Sequence, residues 1–510
     1  MQKLFMALLL AGVAISSQAQ DKNAVRYSRG ITKKALKAKL TIIASAEMQG
    51  RETATEGQRK AAAYIEGQFK TMGLEPGNGN NYQQEYPIFI DTLSTLSFVI
   101  NNTSMVFGKD YVTNISSVVD TSANLKEIIL AGYGITDSIY DDYKDLDVKG
   151  KCVLITEGEP KLENGNYLLT GTDKHSRSYS LYAKVNNARN HGAAIILFYQ
   201  PIQPKSTPPL KSGPYINKGS RYSQGITILT ITPNVLETIT QGLSTDLNDM
   251  INSGHSLSAT LTTNVQLDLK KEATAMHSTN VIGVLPGTDK KDEFVFVTGH
   301  YDHLGTKNGK IYFGADDDGS GTCSVMQIAQ AFMNAKAKGI LPRRTMIFMT
   351  VSGEEKGLWG SEYYTEHPTV DLAKASADLN IDMVGRIAPD YTGNPKNYVY
   401  VIGDDKLSSD LTPLTDSIDN QYMHMELDRK FNDPKDPARI YYRSDHYNFA
   451  KKGVPILFYF NGIHADYHQP TDTVDKINFK LMTKRAKLVF FTAWAVANRE
   501  AMLKRDIPLP

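Results

Sequence analysis

The sequence predicts an α/β protein in which a mostly parallel central sheet is flanked by helices and interrupted by an inserted β-rich domain. After Lys270, apolar runs of buried-strand length alternate with helical segments. This alternation is typical of a parallel sheet covered by helices on both faces. Between about Phe98 and Leu269, short apolar runs separated by Pro- and Gly-rich loops indicate a second, smaller sheet. A chain of 510 residues also exceeds the usual size of one hydrophobic core.

Composition narrows the class of protein. The 41% hydrophobic and 22% charged residues are typical of a globular chain. The formal net charge of +1 gives no electrostatic basis for binding nucleic acid. Only two cysteines occur, Cys152 and Cys323, which excludes a disulfide framework and favours two separate buried thiols.

The first residues, MQKLFMALLLAGVAISSQAQ, have the form of a secretory signal peptide. Lys3 precedes an apolar run from Leu4 to Ile15, and small residues follow up to Ala19. The run is too short to cross a membrane, and no later run reaches that length. We therefore predict that residues 1–19 are cleaved near Ala19 and that the rest of the chain is periplasmic or secreted, without a membrane span.

The remaining chain divides into three parts. Residues 20–97 begin with two helical patterns around a polar turn at 49–57, and Gly73 followed by Pro76 ends the second helix. The predicted insert, residues 98–269, contains a helix at 181–191 and the strand-like runs EIILAGYGI, GKCVLITEG, AAIILFYQ and ITILTIT.

Residues 270–510 carry the main αβ alternation. The strands are EFVFVTGH, RTMIFMTVSG, YVYVIGD and VPILFYF, and the helices are predicted at 321–338, 361–366 and 481–503. Functional sites of such sheets form at the carboxyl ends of the strands. His300 ends the first strand, and Asp302 stands where it can fix the tautomer of that imidazole. Taken alone, this pair is more typical of exposed polar surface.

The loop GADDDGSG, residues 314–321, places three carboxylates side by side before a helix. Adjacent carboxylates repel one another unless water or cations offset their charge. Glycine and alanine allow close approach of the backbone, and the spacing of an EF-hand is absent. The loop is therefore either a solvated turn or part of a metal site.

Further carboxylates and a histidine follow later strands. Glu354 and Glu355 come after MIFMTVSG, and are either an exposed helix start or a metal ligand beside a general base. Asp382 follows a short strand in DLNIDMVGR, and His468 lies in a polar turn before the last helix. His303, His446 and His464 are interpreted as polar neighbours. Candidate ligands thus follow successive strands in the order His, Asp, Glu, Asp, His.

Five motifs, HYDHLG, GADDDGSG, SGEEKGLWGS, NIDMVG and YHQPTDT, stand in this order. They resemble those of the zinc metallopeptidase family with a co-catalytic metal pair, which includes secreted aminopeptidases and the glutamate carboxypeptidase group. The resemblance spans about residues 30–90 and 275–500, and it implies a zinc aminopeptidase-like fold and a peptide substrate. Within the insert, GYGITDSIYDDYKDLDVKGKCVLITEGEP and KVNNARNHGAAIILFY resemble the protease-associated domain, which implies a role in shaping the cleft.

The resemblance also implies two Zn²⁺ ions and the residues that hold them. Asp317 would bridge the two ions. His300 and Asp382 would complete one site, and Glu355 and His468 would complete the other.

Four further residues have implied catalytic or substrate-binding roles. Glu354 would be the general base acting on a metal-bridging water, and Asp302 would orient the first histidine ligand. Tyr467 would donate a hydrogen bond to the oxyanion, and Arg443 would contact a substrate carboxylate.

The function that the sequence favours is that of an exported di-zinc aminopeptidase, which removes N-terminal residues from peptides. A carboxypeptidase or dipeptidase on the same scaffold is an alternative. A glutaminyl-cyclase-like transferase with one zinc is a third alternative. The presence of both His300 and Asp382 disfavours it, since a site with one zinc can dispense with them. A non-catalytic binding protein is the fourth, although all five ligands are present. The sequence carries no prediction of an oligomeric state.

Overall fold

The chain forms two compact units. The computed structural model describes residues 20–201, 206–216, 225–240 and 257–509, so the predicted signal peptide lies outside the described residues. The main unit comprises Met1–Tyr86 and His277–Pro510, and the insert unit comprises Pro87–Met276.

Two long strands carry the chain between the units. They are Gln83–Ile100 and Ser258–Leu285. The borders predicted at 97/98 and 269/270 fall inside these strands, whereas the compact units divide at 86/87 and 276/277. The difference arises because the change in sequence character lies within continuous strands, with no local break to mark the border.

The α-helices of the described residues are given in chain order. They are α1 (Lys22–Ser28), α2 (Lys33–Ile43), α3 (Glu56–Met72), α4 (Leu181–Asn190), α5 (Pro233–Thr240), α6 (Gly319–Lys336), α7 (Trp359–Glu366), α8 (Leu411–Ile418), α9 (His446–Lys451) and α10 (Phe479–Asn498).

The strands of the described residues are numbered in the same way. They are β1 (Glu75–Pro76), β2 (Gln83–Ile100), β3 (Thr103–Ser104), β4 (Tyr111–Val112), β5 (Thr121–Ala131), β6 (Thr136–Asp137), β7 (Tyr140–Asp141), β8 (Cys152–Thr156), β9 (Ile195–Tyr199), β10 (Thr227–Ile231), β11 (Ser258–Leu285), β12 (Lys290–His300), β13 (Thr306–Lys307), β14 (Lys310–Ile311), β15 (Arg344–Val351), β16 (Ala375–Ile381), β17 (Tyr398–Ile402), β18 (Glu426–Asp428) and β19 (Ile456–Phe460).

The sheet of the main unit has the strand order β18-β17-β19-β16-β12-β15-β11. The four central strands, β19, β16, β12 and β15, run parallel, while β17 and β11 run antiparallel to their neighbours β19 and β15. Strands β15, β16 and β19 are buried along their whole length, as expected for strands covered on both faces. The predicted mostly parallel sheet is confirmed.

Helices pack on both faces of this sheet. Phe296 of β12 contacts Tyr364 of α7 and Phe449 of α9. The register pairs Phe296 with the residue before Phe348 on β15, so Phe348 points to the opposite face. There it packs against Phe332 of α6. The core of the main unit therefore has two apolar layers, one on each side of the sheet.

Local sequence signals place the helix ends. Helix α3 begins after Thr55, whose hydroxyl accepts a hydrogen bond from the Gln58 N–H, and ends at Gly73 in the left-handed region, φ +80°. Helix α10 ends at Asn498, before the predicted Leu503. The buried Arg344 donates hydrogen bonds to carbonyls at this end of the helix, those of Val496 and Arg499, which satisfies acceptors that a longer helix would use.

The insert unit has its own sheet, with the strand order β11-β5-β8-β9-β10-β4. Strands β5, β8, β9 and β10 are parallel, and α4 connects β8 to β9. Lys184 of α4 is buried, and its Nζ donates to the carbonyls of Tyr133, Thr156 and Gly158 at 2.6–3.1 Å. This cation ties the helix to the strand ends. The relation of the insert to the protease-associated domain stays a prediction.

Two further sequence predictions concern single features. Cys152 and Cys323 are both buried free thiols. Among the described residues, no helix combines the length and the apolar character needed to cross a membrane.

Candidate metal centre

The parallel strands bring the predicted site residues to one edge of the main sheet. His300 ends β12 and pairs with Val351, the last residue of β15, three residues before Glu354. Asp382 directly follows β16, which is the other neighbour of β12. Because the carboxyl ends of parallel strands meet at the same edge, residues distant in sequence become neighbours. The GADDDGSG loop approaches this edge at the start of α6.

Asp317 lies at the centre of the group. Its Oδ1 is 3.3 Å from His300 Nε2, and its Oδ2 is 3.1 Å from His468 Nε2. One carboxylate thus faces two imidazoles with different oxygens. This is the arrangement that a carboxylate shared between two cations requires.

The two neighbouring aspartates have other partners. Asp318 accepts hydrogen bonds from the main-chain N–H groups of Gly321, Met383 and His300 at 2.8–3.2 Å. Asp316 accepts from the Gly385 N–H at 2.6 Å, and its Oδ2 lies 3.1 Å from His464 Nε2. These two carboxylates hold the loop in place, which leaves Asp317 to face the group of ligands.

Close packing explains the glycine that begins this loop. Gly314 has φ +54°, and a Cβ there would lie 2.2 Å from the Asp317 carbonyl oxygen and 2.5 Å from the His303 ring. No side chain fits in this space. Two residues of the site also hold left-handed backbone conformations, Met383 at φ +55° and His468 at φ +56°, as is common where function imposes strain.

On one side of Asp317 lie His300, Asp382 and Glu354. Asp382 Oδ1 is 3.6 Å and Glu354 Oε2 is 3.8 Å from His300 Nε2. The other oxygen of Asp382 accepts a hydrogen bond from Ser444 at 2.8 Å. His300 Nδ1 lies 3.2 Å from the carbonyl oxygen of Asp302 and 3.6 Å from its Oδ1. The outer nitrogen of the imidazole is therefore held by Asp302, while Nε2 points into the site.

On the other side lie Glu355, His468 and His303. Glu355 Oε2 is 3.0 Å from His468 Nε2, and its Oε1 is 2.7 Å from His303 Nδ1. His303 is fully buried, and its ring packs edge-on against His468. The sequence predicts only a polar neighbour at His303, but the structure places this residue among the ligand candidates. Its position three residues after His300, in the same loop, was the signal available in the sequence.

The charges of this group depend strongly on one another. Burial raises the pKa of the Glu354 carboxyl, and the carboxylates of Glu355 and Asp382 raise it further. Burial lowers the pKa of His468, but the carboxylates of Asp317 and Glu355, at 3.1 and 3.0 Å from its Nε2, outweigh this effect and raise the pKa to about 10. A cluster this acidic and this buried needs protons or cations to balance its charge.

The donor atoms fit divalent metal ions. Within 4.8 Å of one another lie ligand atoms of His300, Glu354 and Asp382, and likewise of His303, Asp317 and Glu355. Several buried atoms that point into the site make no hydrogen bond of normal geometry among the described residues, although other titratable side chains lie close to them; they are His300 Nε2, Asp317 Oδ2, Glu355 Oε1 and Asp382 Oδ1. Buried polar atoms are normally satisfied. Imidazole nitrogens with carboxylate oxygens suit zinc.

Tyr467 and Arg443 lie beside the acidic cluster. The Tyr467 ring stacks on His468 with centroids 3.9 Å apart, and Arg443 Nη2 donates to the Tyr467 hydroxyl at 3.1 Å. Burial raises the pKa of Tyr467, as does the nearby Asp317 carboxylate, so the phenol keeps its proton. Both residues border one cavity with three carboxylates and five apolar side chains: Asp317, Glu354, Asp382, Met383, Ile440, Phe458, Phe460 and Ile463.

A model of peptidase family M28 matches residues 280–493. This part of the chain resembles peptidase family M28. The matched M28 part contains all the predicted site residues, from His300 to His468.

Relatives match less than half of the chain. A protein of Arthroderma otae named "Probable leucine aminopeptidase" is 29% identical over 224 residues, which cover 43% of this chain and 57% of that protein. A "Probable zinc metalloprotease" of Pyrenophora tritici-repentis is 27% identical over 256 residues, covering 44% of this chain and 58% of that protein. The chain therefore spans little more than half the length of these relatives.

A solved structure resembles the whole chain. It is the aminopeptidase from Aneurinibacillus sp. strain AM-1, with a TM-score of 0.50 and 18% identity, covering 96% of this chain and 99% of that one. The likeness confirms the predicted fold class of the M28 part and its insert as an α/β architecture.

Proposed function

We propose that the chain is an exported zinc-dependent aminopeptidase that removes N-terminal residues from peptides. The observation that carries the proposal is the cavity in which Asp317, Glu354 and Asp382 meet an apolar wall. An N-terminal residue with an apolar side chain would place its ammonium group near the carboxylates and its side chain against that wall. The names of the relatives, a zinc metalloprotease and a leucine aminopeptidase, support the same activity.

Two zinc ions are part of the proposal. His300 and Asp382 would hold one ion, Glu355 and His468 would hold the other, and Asp317 would serve both. His303 faces the second group through Glu355. When bound, the ions would supply Lewis acidity and lower the pKa of water in the site.

Glu354 is the proposed general base. Its side chain is 13% exposed and reaches the cavity, so water can approach it. Burial and neighbouring carboxylates raise its pKa, which makes it a better proton acceptor than an exposed glutamate. Its Oε atoms would take a proton from the attacking water and deliver it to the leaving amine.

Tyr467 is the proposed donor to the oxyanion. Arg443 donates to the Tyr467 oxygen, so the phenol proton remains available for the substrate. A donor aimed at the developing charge lowers the barrier because it needs no reorganisation. Asp302 is proposed to orient His300, and export to the periplasm or medium rests on the N-terminal pattern alone.

A carboxypeptidase or dipeptidase is the second candidate. Arg443 is exposed and borders the same cavity, and an arginine binds a carboxylate well. In this reading, Arg443 would hold the C-terminal carboxylate of the substrate.

The two candidates are separated by a panel of dipeptides with free or acetylated N-termini, assayed on the protein that begins at Gln20. Cleavage of free-amine substrates alone, abolished by a chelator and by Glu354→Gln, is the expected result. Leucine and phenylalanine at the N-terminus should be preferred over aspartate and lysine. Cleavage of acetylated substrates would favour the carboxypeptidase, and Arg443→Ala should then raise KM. Cleavage that persists in a chelator would refute a zinc peptidase.

A further inference from the structure

The segment Arg51–Thr53 precedes the M28 match by more than two hundred residues in the chain, yet it lies against the metal centre. In the sequence it belongs to a polar turn between α2 and α3. In the structure this turn is pressed against two site loops, since a Cβ on Gly50 would lie 2.4 Å from the Gly305 carbonyl oxygen and 2.6 Å from that of Tyr312. Arg51 itself has φ +53°. A left-handed conformation at a residue other than glycine persists only where surrounding contacts fix it, and such residues cluster at functional sites.

Arg51 anchors the segment. Its guanidinium is fully buried and donates to main-chain carbonyls at 2.7–2.9 Å. The acceptors lie in three places, at the end of α2 (Ile43), in the loop after β12 (Tyr301) and at the start of the GADDDGSG loop (Phe313 and Gly314). A single cation thus joins the loop that carries His300 to the loop that carries Asp317.

Glu52 reaches the third site loop. Its Oε1 lies 2.7 Å from Nζ of Lys356, next to Glu355 in the chain. The backbone of the segment also pairs with the loop after β12, because the Arg51 carbonyl accepts a hydrogen bond from the His303 N–H at 3.2 Å. Consecutive residues of the segment therefore contact three of the loops that carry ligand candidates, those of His300, Asp317 and Glu355.

Thr53 makes the contact closest to the chemistry. Its hydroxyl donates to Oδ2 of Asp302 at 2.7 Å, and both side chains are buried. The other oxygen, Oδ1, accepts the main-chain N–H of Glu354 at 3.2 Å and lies 3.6 Å from His300 Nδ1. One carboxylate therefore joins Thr53 to the backbone of the proposed base and to the imidazole of a proposed ligand.

We propose that Thr53, anchored by Arg51, is a positioning residue that fixes the Asp302 carboxylate and thereby orients both His300 and Glu354. The proposal rests on the proposed function for its catalytic consequence, but its effect on metal binding does not depend on the substrate. A bound hydroxyl keeps Asp302 in one rotamer. Without it, Oδ2 becomes a buried acceptor with no donor, so the carboxylate turns and the two groups that it holds are released.

The test uses Thr53→Val, which keeps the shape of the side chain and removes the donor. Loss of such an outer partner costs about 10–100-fold in metal affinity or activity. We expect zinc affinity, measured by competition with a chromophoric chelator, to fall by about that factor. Turnover of the best dipeptide should fall by a similar factor with KM little changed, because the cavity wall is untouched.

Two further variants make the result specific. Thr53→Ser restores the donor and should return zinc affinity and kcat close to the parent values. Thr350→Val is the matched control, because Thr350 is also buried in the main unit and its hydroxyl has no hydrogen-bond partner among the described residues. This control should leave both quantities unchanged.

Several outcomes would overturn the proposal. Parental zinc affinity in a folded Thr53→Val protein would do so, as would an equal loss in the valine and serine variants. An equal loss in Thr350→Val would mean that any buried threonine change weakens the site. If the parent protein cleaves no peptide, the proposed function fails, while the zinc measurements still decide the role of Thr53.

Discussion

Replacing Asp378 with asparagine should stabilise the main unit at neutral and higher pH. Asp378 lies on β16 and is fully buried. Its Oδ1 accepts a hydrogen bond from Thr298 at 2.7 Å, while its Oδ2 has no hydrogen-bond partner among the described residues. Burial raises the pKa of Asp378 from 3.8 to about 7, with a smaller contribution from Asp445.

The sign of the pH dependence follows from proton binding. Between pH 3.8 and about 7 the folded chain holds a proton on Asp378 that the unfolded chain has lost. The free energy of unfolding therefore falls as pH rises through this window. A difference of about three pKa units corresponds to about 4 kcal/mol. Asparagine cannot ionise, so the variant should gain up to about this much at pH 8 and little at pH 4.

Tryptophan fluorescence can measure this effect on one unit. Both tryptophans, Trp359 and Trp494, belong to the main unit. Urea unfolding of the parent and of Asp378→Asn at pH 4, 6 and 8 gives the difference in free energy directly. Asp390→Asn is the control, because this side chain is 72% exposed and its change should stay within about 0.5 kcal/mol. A difference between parent and Asp378→Asn that is the same at pH 4 and pH 8 would refute the reasoning.

Three other predictions concern the metal centre. Glu354→Gln keeps the shape of the side chain and removes the proposed general base, so turnover should fall by about 10²–10⁴-fold. The zinc content, measured by atomic absorption, should stay constant, and substantial remaining turnover would exclude this role. A chelator should lower the midpoint temperature of thermal unfolding, followed by tryptophan fluorescence, and added zinc should restore it, since an ion that binds the folded state stabilises it. A midpoint that changes with neither addition would contradict the fit of the site to zinc. His303→Ala removes the nitrogen beside Glu355, so one of the two proposed zinc ions should bind more weakly in a titration. Two unchanged affinities would show that His303 contributes only packing.

Local patterns in the sequence were sufficient for most of the fold. Apolar runs such as RTMIFMTVSG are long enough and apolar enough to be buried strands, and the structure has them as such. Helical spacing and an end at Gly73 likewise predict α3. These predictions succeed because strand and helix signals lie within a few consecutive residues. The predicted borders of the insert differ from those of the compact units because a continuous strand contains no such local signal.

The site could be predicted only in part, for the same reason. The sequence predicts the set of candidate ligands because they lie near the ends of strands or the start of a helix, and parallel strands bring such ends together. The set is His300, Asp317, Glu355, Asp382 and His468. Three adjacent aspartates are chemically alike, however, and only their directions in the folded loop separate Asp317 from its neighbours.

What the sequence alone determined is therefore the α/β class, the separate insert, and the set of side chains that follow the strands. What only the tertiary structure decided is which groups meet across loops. His303 against Glu355 and Thr53 against Asp302 are examples. Their pairing depends on how distant loops pack, because a hydrogen bond between residues 249 positions apart leaves no periodicity in the chain.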